Sequence, residues 1–394
     1  MHIINGAILL LAGEALKAGS PWAILWTGPA ILLSSIMIAW GAEAAQYFMA
    51  QGIALAILAL LQTLPEFAVE AVLAWHQQTE YLLANLTGAL RLLTGLGWPL
   101  IYMAAALAYR KDIQAPMRKI RLTKAQSMQV VGLLAGLVWQ FVVWAKGSLG
   151  LVDAAILLSV YVGYLLLMRR LPPEKPESLE DMEAIPRKIV NSPRGIRIAV
   201  ILGLFVVGGV GVFAVAAPFL EGLFGLSVSA GIPAFVFIAW VAPLVSEAPE
   251  GISAYYWARD YPRANTALMN LVSSNISQWT LMAAMLPIVY SVSMGHAAAI
   301  PMDALQSREL LMTLGQALVG VLLLMDLELE FPEAVALFVL WAVQVAFSIL
   351  RPDSIIHTWI IWIYFAWAGV EFIRLLIGQR KPVALIHFRV LLRR

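Results

Sequence analysis

Long apolar segments dominate this sequence and limit what the chain can fold into. Several runs of roughly 18 or more residues carry almost no charge, and each is long enough to cross a bilayer core of about 30 Å as a helix. Continuous apolar runs favour helices over the alternating strands of a membrane barrel. Only 13% of the residues are charged, about half of the ~25% found in soluble domains. The sequence therefore predicts an all-α polytopic membrane protein.

Eleven membrane-spanning helices are predicted from these runs. They are 24–49, 51–76, 79–108, 127–146, 150–168, 196–221, 230–258, 264–293, 308–327, 331–350 and 354–377. Residues 3–17 are apolar but interrupted by Glu14, so they form either an interfacial segment or a short extra span. The N-terminus lacks the basic start and the cleavage site of a signal peptide, so we expect the first span to direct insertion.

Basic residues indicate the orientation of the chain. They cluster after spans three, five and seven and in the C-terminal tail. Because successive spans cross the membrane in opposite directions, these four regions lie on the same side. By the positive-inside rule this side is cytoplasmic. We therefore expect a multi-pass protein of the plasma or inner membrane with a cytoplasmic C-terminus. One basic residue, Arg91, remains inside a span.

Two similar halves are visible along the chain. Span two contains Pro65-Glu66 and span seven contains Pro249-Glu250. The next span contains Asn85 in the first half and Asn270 in the second, at nearly the same distance. Residues 148–154 match residues 328–334 in the same way, at the turn into the last helix of each half.

Each half then has five spans, and the odd number forces the two halves into opposite orientations. Two inverted-topology repeats of this kind are the architecture of many secondary transporters. The predicted organisation is an N-terminal apolar segment 1–23, a first five-helix repeat 24–168, a cytoplasmic linker 169–195, a second five-helix repeat 196–350, an extra transmembrane helix 354–377 and a basic cytoplasmic tail 378–394.

Glu66 and Glu250 are expected to face each other at one depth in this arrangement. A carboxylate at mid-membrane costs about 2.5–3.5 kcal/mol on insertion scales, so a cation or a proton must accompany the pair. A hard divalent cation such as Ca²⁺ fits because it takes six to eight oxygen ligands. We expect Pro65 and Pro249 to interrupt their helices and to free carbonyl oxygens one turn before each Glu. Hydroxyl oxygens on the same turns come from Thr63 and Ser246.

These segments resemble the two alpha-repeats of the calcium/cation antiporter superfamily, which includes sodium/calcium exchangers. Leu64-Pro65-Glu66-Phe67-Ala68 and Ala248-Pro249-Glu250 are similar to its Gly-Thr-Ser-Leu-Pro-Glu element, and residues 270–278 are similar to its Asn-x-x-Gly-Ser-Asn-x-x-Asn element. The resemblance covers roughly residues 24–350. It implies a ten-helix core in which two Glu bind Ca²⁺ and neutral side chains bind the counter-ion. The implied cation ligands are Glu66, Glu250, Thr63, Ser246, Asn85, Asn270, Ser274 and Gln278.

The sequence departs from this family pattern in both halves. Glu247 replaces the Ser before the second Pro-Glu and adds a third carboxylate, which we expect to tune the charge and to carry a proton. In span three the polar run has become Gly88-Ala89-Leu90, and Leu93 replaces the final Asn. In span eight Gln278 takes that final position.

Arg91 stands beside the altered run. It either pairs with a site carboxylate as a tethered cation, because an intramembrane Arg usually pairs with something, or it snorkels or neutralises a structural acid such as Glu70 or Glu43. Glu70, one turn beyond Glu66, is also a candidate for lining the exit path.

Other polar groups carry weaker functional predictions. Acidic residues at the turn between spans nine and ten form either a regulatory cation site or a solvated turn, and these are Asp326, Glu328, Glu330 and Glu333. The five His residues show no metal-ligand spacing, and the absence of cysteine excludes disulfides and thiol chemistry. No nucleophile–base pair is present, so we expect no enzyme and no cofactor, only a transported cation with Na⁺ or H⁺ as counter-ion. The expected partners are the lipid bilayer and small inorganic cations, without nucleic acid; the oligomeric state is left open.

The sequence thus predicts a secondary-active cation antiporter that exchanges Ca²⁺ for Na⁺ or H⁺ by alternating access. Glu247 and the lost polar residues of span three favour H⁺ over Na⁺. The rival from another class is a non-transporting or channel-like membrane protein in which Arg91 fills the cation site.

Overall fold

The structure, a computed structural model, describes residues 19–48, 63–169, 179, 182–351 and 354–392. Within these residues nine helices are long and apolar enough to cross a membrane, and ten if the bent pair Ala234–Ser246 and Ala248–Ala258 counts as one span. This bears out an all-α, multi-pass membrane protein. Residues 3–17, residues 51–62 of the predicted span 51–76 and residues 170–178, 180 and 181 of the linker lie outside the described residues.

The α-helices follow one another along the whole described chain. In chain order they are α1 (Ile24–Gln46), α2 (Leu64–Trp75), α3 (Thr79–Leu92), α4 (Trp98–Ile113), α5 (Ser127–Lys146), α6 (Leu151–Met168), α7 (Ala184–Val190), α8 (Arg194–Ala230), α9 (Ala234–Val236), α10 (Ala242–Ser246), α11 (Ala248–Ala258), α12 (Ala264–Ser277), α13 (Ala283–Met294), α14 (Ala304–Leu323), α15 (Phe331–Leu350), α16 (Ile356–Leu376) and α17 (Val383–Leu392).

Short π-helical segments join three pairs of these helices into continuous spans. Leu93–Gly97 connects α3 to α4, Phe237–Val241 connects α9 to α10, and Gln278–Met282 connects α12 to α13. The first and third begin at the same distance from Asn85 and Asn270, so the two halves share this irregularity. Single-turn π segments occur frequently at functional sites.

Four short strands repeat the same symmetry. β1 (Lys119–Arg121) pairs antiparallel with β4 (Glu328–Glu330), and β2 (Ser148–Leu149) pairs antiparallel with β3 (Ile300–Pro301). β1 and β3 each precede the fourth helix of a half, and β2 and β4 each precede the fifth. The two strand pairs are therefore equivalent under an exchange of the halves, as inverted repeats require. α5 runs from β1 to β2, and its 20 residues span about 30 Å, so the pairs lie at opposite membrane faces.

The turn into the last helix of each half is also repeated. The backbone N–H of Gly150 donates to Asp153 Oδ2 at 2.7 Å, and that of Glu330 donates to Glu333 Oε2 at 2.9 Å. In both turns an acidic side chain caps the first turn of a helix, where the backbone N–H groups lack helical partners. This is the correspondence that the spacing of residues 148–154 and 328–334 predicts.

The chain divides into two compact units that do not coincide with the halves. The first unit contains Met1–His76 and Pro173–Pro249, and the second contains Gln77–Pro172 and Glu250–Arg394. Each unit combines equivalent parts of both repeats. Glu66 belongs to the first unit and Glu250 to the second.

In the first unit α8 packs along α1. A Cβ on Gly208 would lie 2.8 Å from the carbonyl oxygen of Ser34, so only glycine permits this approach of the two backbones. The linker helix α7 follows Glu183, whose carboxylate accepts from Trp40 Nε1 at 2.9 Å and whose backbone N–H donates to Glu43 at 3.0 Å. The end of the linker is thereby fixed to α1.

α8 is longer than predicted. The predicted span 196–221 is part of a helix that continues to Ala230, and Glu221 lies exposed on it. In the second unit α14 packs against α16, α3 and α5, and the tail contains the helix α17, which packs on α5. The tail is therefore helical, which its basic composition did not indicate.

Candidate functional site

In the first unit the Pro-Glu turn begins a helix. Leu64, Pro65 and Glu66 are the first three residues of α2, and Thr63 precedes them. Thr63, Glu66 and Glu70 are all buried. Glu66 therefore lies at a helix N-terminus, where the positive end of the helix dipole stabilises a carboxylate by about 0.3–1 kcal/mol, and more when it is partly buried.

The second Pro-Glu turn follows a sharp break in the chain. The segments Ala234–Ser246 and Ala248–Ala258 meet at 52°, and Glu247 is the residue between them. Ser246 and Glu247 are buried, and the Ser246 hydroxyl donates to the carbonyl of Ala242 at 3.2 Å. This bond leaves lone pairs of the Ser246 oxygen available to a cation.

Each proline lies at the start of a helix. Pro65 and Pro249 are the second residues of α2 and α11, and the chain is broken just before Pro249, as expected, with a bend of 52°. The residues before Thr63 lie outside those that the structure describes. In the first turn of a helix the missing N–H of proline costs no helical hydrogen bond. The prolines thus define where the helices begin and place each Glu in the first turn.

In the second unit Glu250 contacts the polar face of α12. Its Oε2 accepts a short hydrogen bond from the hydroxyl of Ser274, and both side chains are buried. Asn270 lies one turn before Ser274, and the buried Gln278 lies one turn after it. Residues at this spacing share one helix face, so three of the predicted ligands are aligned along α12 and its π segment. The Nδ2 of Asn270 has no hydrogen-bond partner among the described residues.

On α3 the structure places Asn85 and Arg91 in the interior, both fully buried. Arg91 Nη1 lies 2.5 Å from Glu309 Oε2 on α14, and Arg91 Nε donates to the Thr87 carbonyl at 3.0 Å. Arg91 thus pairs with Glu309, an acid that the sequence analysis does not single out. Sequence reasoning missed Glu309 because it follows Arg308 at the predicted end of a span, where charges are usually solvated.

The acidic turn between α14 and α15 is partly neutralised by Arg380, while Glu330 stays exposed. The guanidinium of Arg380, from the tail, donates at 2.8 Å to each of three carboxylates and at 2.7 Å to the Leu323 carbonyl. The carboxylates are those of Asp326, Glu333 and Glu371. Burial alone lowers the pKa of Arg380. The carboxylates of Glu333 and Asp326 raise this pKa by more than burial lowers it, so the net pKa is raised and the guanidinium stays charged. Glu328 pairs with Lys119 and Arg121 across β1 and β4.

No group of three or more His, Asp or Glu side chains suited to a metal ion occurs within the described ranges. In the second unit the buried carboxylate of Glu250 accepts from the hydroxyl of Ser274, and in the first unit Glu66 is buried three residues after Thr63. A desolvated carboxylate with hydroxyl and amide neighbours can bind a hard cation weakly enough to release it, or can bind a proton.

The chain is similar to a family profile and to several solved structures. The profile described as "Sodium/calcium exchanger protein" matches residues 20–169 and 200–350. A crystal structure described as the H⁺/Ca²⁺ exchanger CAX is 30% identical, with a TM-score of 0.85, and the alignment covers 99% of this chain and 98% of that chain. None of the curated proteins matches the chain.

Two further solved structures share the fold alone. The sodium-calcium exchanger NCX_Mj is 17% identical with a TM-score of 0.55, and the alignment covers 83% of this chain and 97% of that one. Native YfkE is 13% identical with a TM-score of 0.59, and the alignment covers 87% and 99%. These likenesses bear out the exchanger fold with its inverted repeats. Together with the profile match over most of its length, they show that the chain belongs to the sodium/calcium exchanger family, within the calcium/cation antiporter superfamily.

Proposed function

We propose that this protein is a secondary-active antiporter that exchanges Ca²⁺ for H⁺ by alternating access. Glu66 and Glu250 are its central ligands. The observation that carries the proposal is the environment of Glu250, a buried carboxylate in the first turn of α11 that accepts a hydrogen bond from Ser274.

The contact between Glu250 and Ser274 suits a group that alternates between a cation and a proton. An ionised carboxylate accepts from the hydroxyl, and a protonated one donates to it, because a hydroxyl does both. The carrier can then return without Ca²⁺ and without an uncompensated buried charge, which would be costly in the membrane.

The proposed cation ligands come from both sequence repeats. Ca²⁺ takes six to eight oxygens, and two carboxylates leave the remainder to neutral groups and to Glu247. The neutral donors in this proposal are Thr63, Ser246, Asn85, Asn270, Ser274 and Gln278. Glu247, at the break before α11, is a third acid that can take up a proton when Ca²⁺ leaves.

Proton coupling is favoured over sodium coupling by the composition of α3. Ala89, Leu90 and Leu93 occupy the positions that correspond to Ser274, Asn275 and Gln278 on α12. This face therefore offers few oxygens to a second metal ion. The solved structure with 30% identity is described as an H⁺/Ca²⁺ exchanger, which supports the same choice.

The alternative function, a non-transporting or channel-like membrane protein, requires that the side chain of Arg91 fill the cation site. Arg91 lies 2.5 Å from Glu309, so its charge is already matched by an acid that is not among the proposed ligands. This observation favours transport over the rival.

Uptake of Ca²⁺ into proteoliposomes tests the proposal. Vesicles with an acidic interior should accumulate Ca²⁺, whereas an outward Na⁺ gradient or no gradient should not drive uptake. Glu66→Gln and Glu250→Gln should each abolish the flux, and Glu80→Gln, at an exposed position of α3, should retain it. Uptake driven only by Na⁺ would contradict proton coupling, and full activity of Glu250→Gln would contradict the site.

A further inference from the structure

A buried histidine lies in the second unit, apart from the residues proposed to bind the cation. His357 is the second residue of α16 and is only 2% exposed. Its Nε2 lies 3.1 Å from the Ser348 hydroxyl near the end of α15, and its Nδ1 lies 3.2 Å from the Ser354 carbonyl. Ser354 is half-buried. The imidazole is therefore one hydrogen bond from the membrane face opposite to β1 and β4.

Several polar atoms deeper in the same helices lack partners. Both amide atoms of Gln344 and the hydroxyl of Tyr364 are buried with no hydrogen-bond partner among the described residues. Gln344 lies one turn inward from Ser348 on α15, and Tyr364 lies two turns inward from His357 on α16. Each therefore lies on the same helix face as the residue that makes the Ser348–His357 contact. An unsatisfied buried polar group costs about 1–3 kcal/mol, and buried water is the usual remedy.

The polar side chains continue inward to the partner of Glu250. Gln316 on α14 has an unpartnered Oε1, and its Nε2 lies 3.4 Å from the carbonyl of Arg91. One turn beyond Arg91, Thr94 accepts from Asn275 Nδ2 at 3.0 Å, and Asn275 is adjacent to Ser274 on α12. The Oδ1 of Asn275 also lacks a partner within the described part of the chain.

We propose that this line of buried polar side chains holds water and conducts protons between the membrane face at His357 and the Ser274–Glu250 contact. The line consists of His357, Ser348, Gln344, Tyr364, Gln316 and Asn275. His357 is the group that takes up or releases the proton at the membrane face. The inference rests on the proposed proton coupling and adds to it a proton route that does not pass through the broken helix at Glu247.

The chemistry of the line suits protons and excludes Ca²⁺. A neutral imidazole held at both nitrogens can accept a proton at one and release it from the other, and its ordinary pKa lies within the physiological range. The charged groups within electrostatic reach of His357 are Glu309, Arg308 and Arg91. Arg91 and Glu309 neutralise each other, and the remaining groups on the line are neutral amides and hydroxyls. They cannot supply the six to eight oxygens that Ca²⁺ requires.

Two substitutions test the route. Gln344→Leu replaces an amide without partners by an apolar side chain of similar size, so protein stability should be unchanged or higher. His357→Ala removes the proton-uptake group. Both variants should slow Ca²⁺ uptake driven by a pH gradient by about tenfold or more, the lower range of what a positioned proton donor or acceptor contributes.

Exchange of internal Ca²⁺ for external radioactive Ca²⁺ serves as the control reaction because it requires no net proton movement. Both variants should retain this exchange at the wild-type rate, and imidazole added to the vesicles should restore proton-driven uptake in His357→Ala. His296→Ala, an exposed loop histidine, should behave as wild type in both reactions.

The result that overturns the route is wild-type proton-driven uptake in Gln344→Leu and in His357→Ala. Equal loss of both reactions in folded variants also overturns it, because the side chains would then act on cation binding. Failure of the proposed function would appear differently, as an absence of proton-driven uptake in the wild-type protein itself.

Discussion

The helices α3 and α12 are equivalent elements of the two repeats with different side chains. In each helix the seventh residue is an Asn, Asn85 or Asn270, and each helix passes into a π segment at the same distance from it. Along α12 and its π segment, Ser274, Asn275 and Gln278 are buried and polar, and Ser274 donates to Glu250. The corresponding residues after α3 begins are Ala89, Leu90 and Leu93, and the buried Arg91 beside them contacts Glu309.

The comparison shows that backbone shape and ligand chemistry are separable in this molecule. The π segments remain in both helices although the amides of one were lost, so the irregular backbone does not depend on those side chains. The Glu250 half has the neutral oxygens of the proposed cation site, and the α3 half has an internal ion pair at the corresponding place. We infer that α3 contributes chiefly to packing and charge balance, and α12 to cation binding.

The largest expected effect is on stability, from loss of the Arg91–Glu309 pair. Arg91→Met leaves the buried Glu309 carboxylate unpaired and should lower the free energy of unfolding by about 3–5 kcal/mol. Arg91→Met combined with Glu309→Met should recover most of this loss. Thermal unfolding in mild detergent measures both variants.

Ile276→Met, at the position of α12 that corresponds to Arg91, is the matched control and should cost less than about 1.5 kcal/mol. A similar cost for Arg91→Met and Ile276→Met would refute the assignment of a structural ion pair to α3.

The next effect is on cation affinity, from the hydroxyl beside Glu250. Ser274→Ala removes a hydrogen bond to a carboxylate, worth about 1.5–3 kcal/mol. The Ca²⁺ concentration for half-maximal uptake should therefore rise about tenfold or more. Ala89→Ser places a hydroxyl at the equivalent position of α3 and should change this concentration less than about twofold. Tighter Ca²⁺ binding by Ala89→Ser would show that the α3 face also contributes ligands.

The repeat could be predicted from the sequence because its signals are local. Pro-Glu turns, the following Asn and the acidic turns at residues 153 and 333 recur at matching distances, and spacing along a helix fixes which face a residue occupies. The strand pairs β1–β4 and β2–β3 could not be predicted, since each joins segments from different halves and contains only two or three residues.

The partners of the buried charges could not be predicted for a related reason. Arg91 and Glu309 are 218 positions apart, and Arg380 reaches Asp326 across 54. Only the packing of α3, α14 and α16 brings such groups together. The burial of His357 could not be predicted either, because it depends on α15, which folds back beside it.

Packing around the π segment of α3 gives a smaller effect. A Cβ at Gly95 would lie 2.5 Å from Trp341 Cβ and 2.6 Å from Gln316 Nε2, and a Trp Cβ cannot move without its helix. Gly95→Ala should therefore cost about 1–3 kcal/mol of stability. Thr280 is the corresponding residue of α12 and donates to the Ile276 carbonyl; Thr280→Ala should cost less than about 1 kcal/mol. Unfolding curves in detergent that reverse this order would show that the two π segments are not packed as described.

The smallest effect concerns the hydrogen bond that joins the two helices directly. Asn275 Nδ2 donates to Thr94 Oγ1 at 3.0 Å, and both groups are neutral and buried. A double-mutant cycle with Thr94→Val and Asn275→Leu should give an interaction energy of about 0.5–1.5 kcal/mol. Asn275→Leu also removes an Oδ1 that lacks a partner among the described residues, so it should destabilise the protein less than Thr94→Val, which leaves the whole amide unpaired. An interaction energy near zero would mean that α3 and α12 are held together by apolar packing alone, and the asymmetry between them would then be confined to the Glu250 and Arg91 contacts.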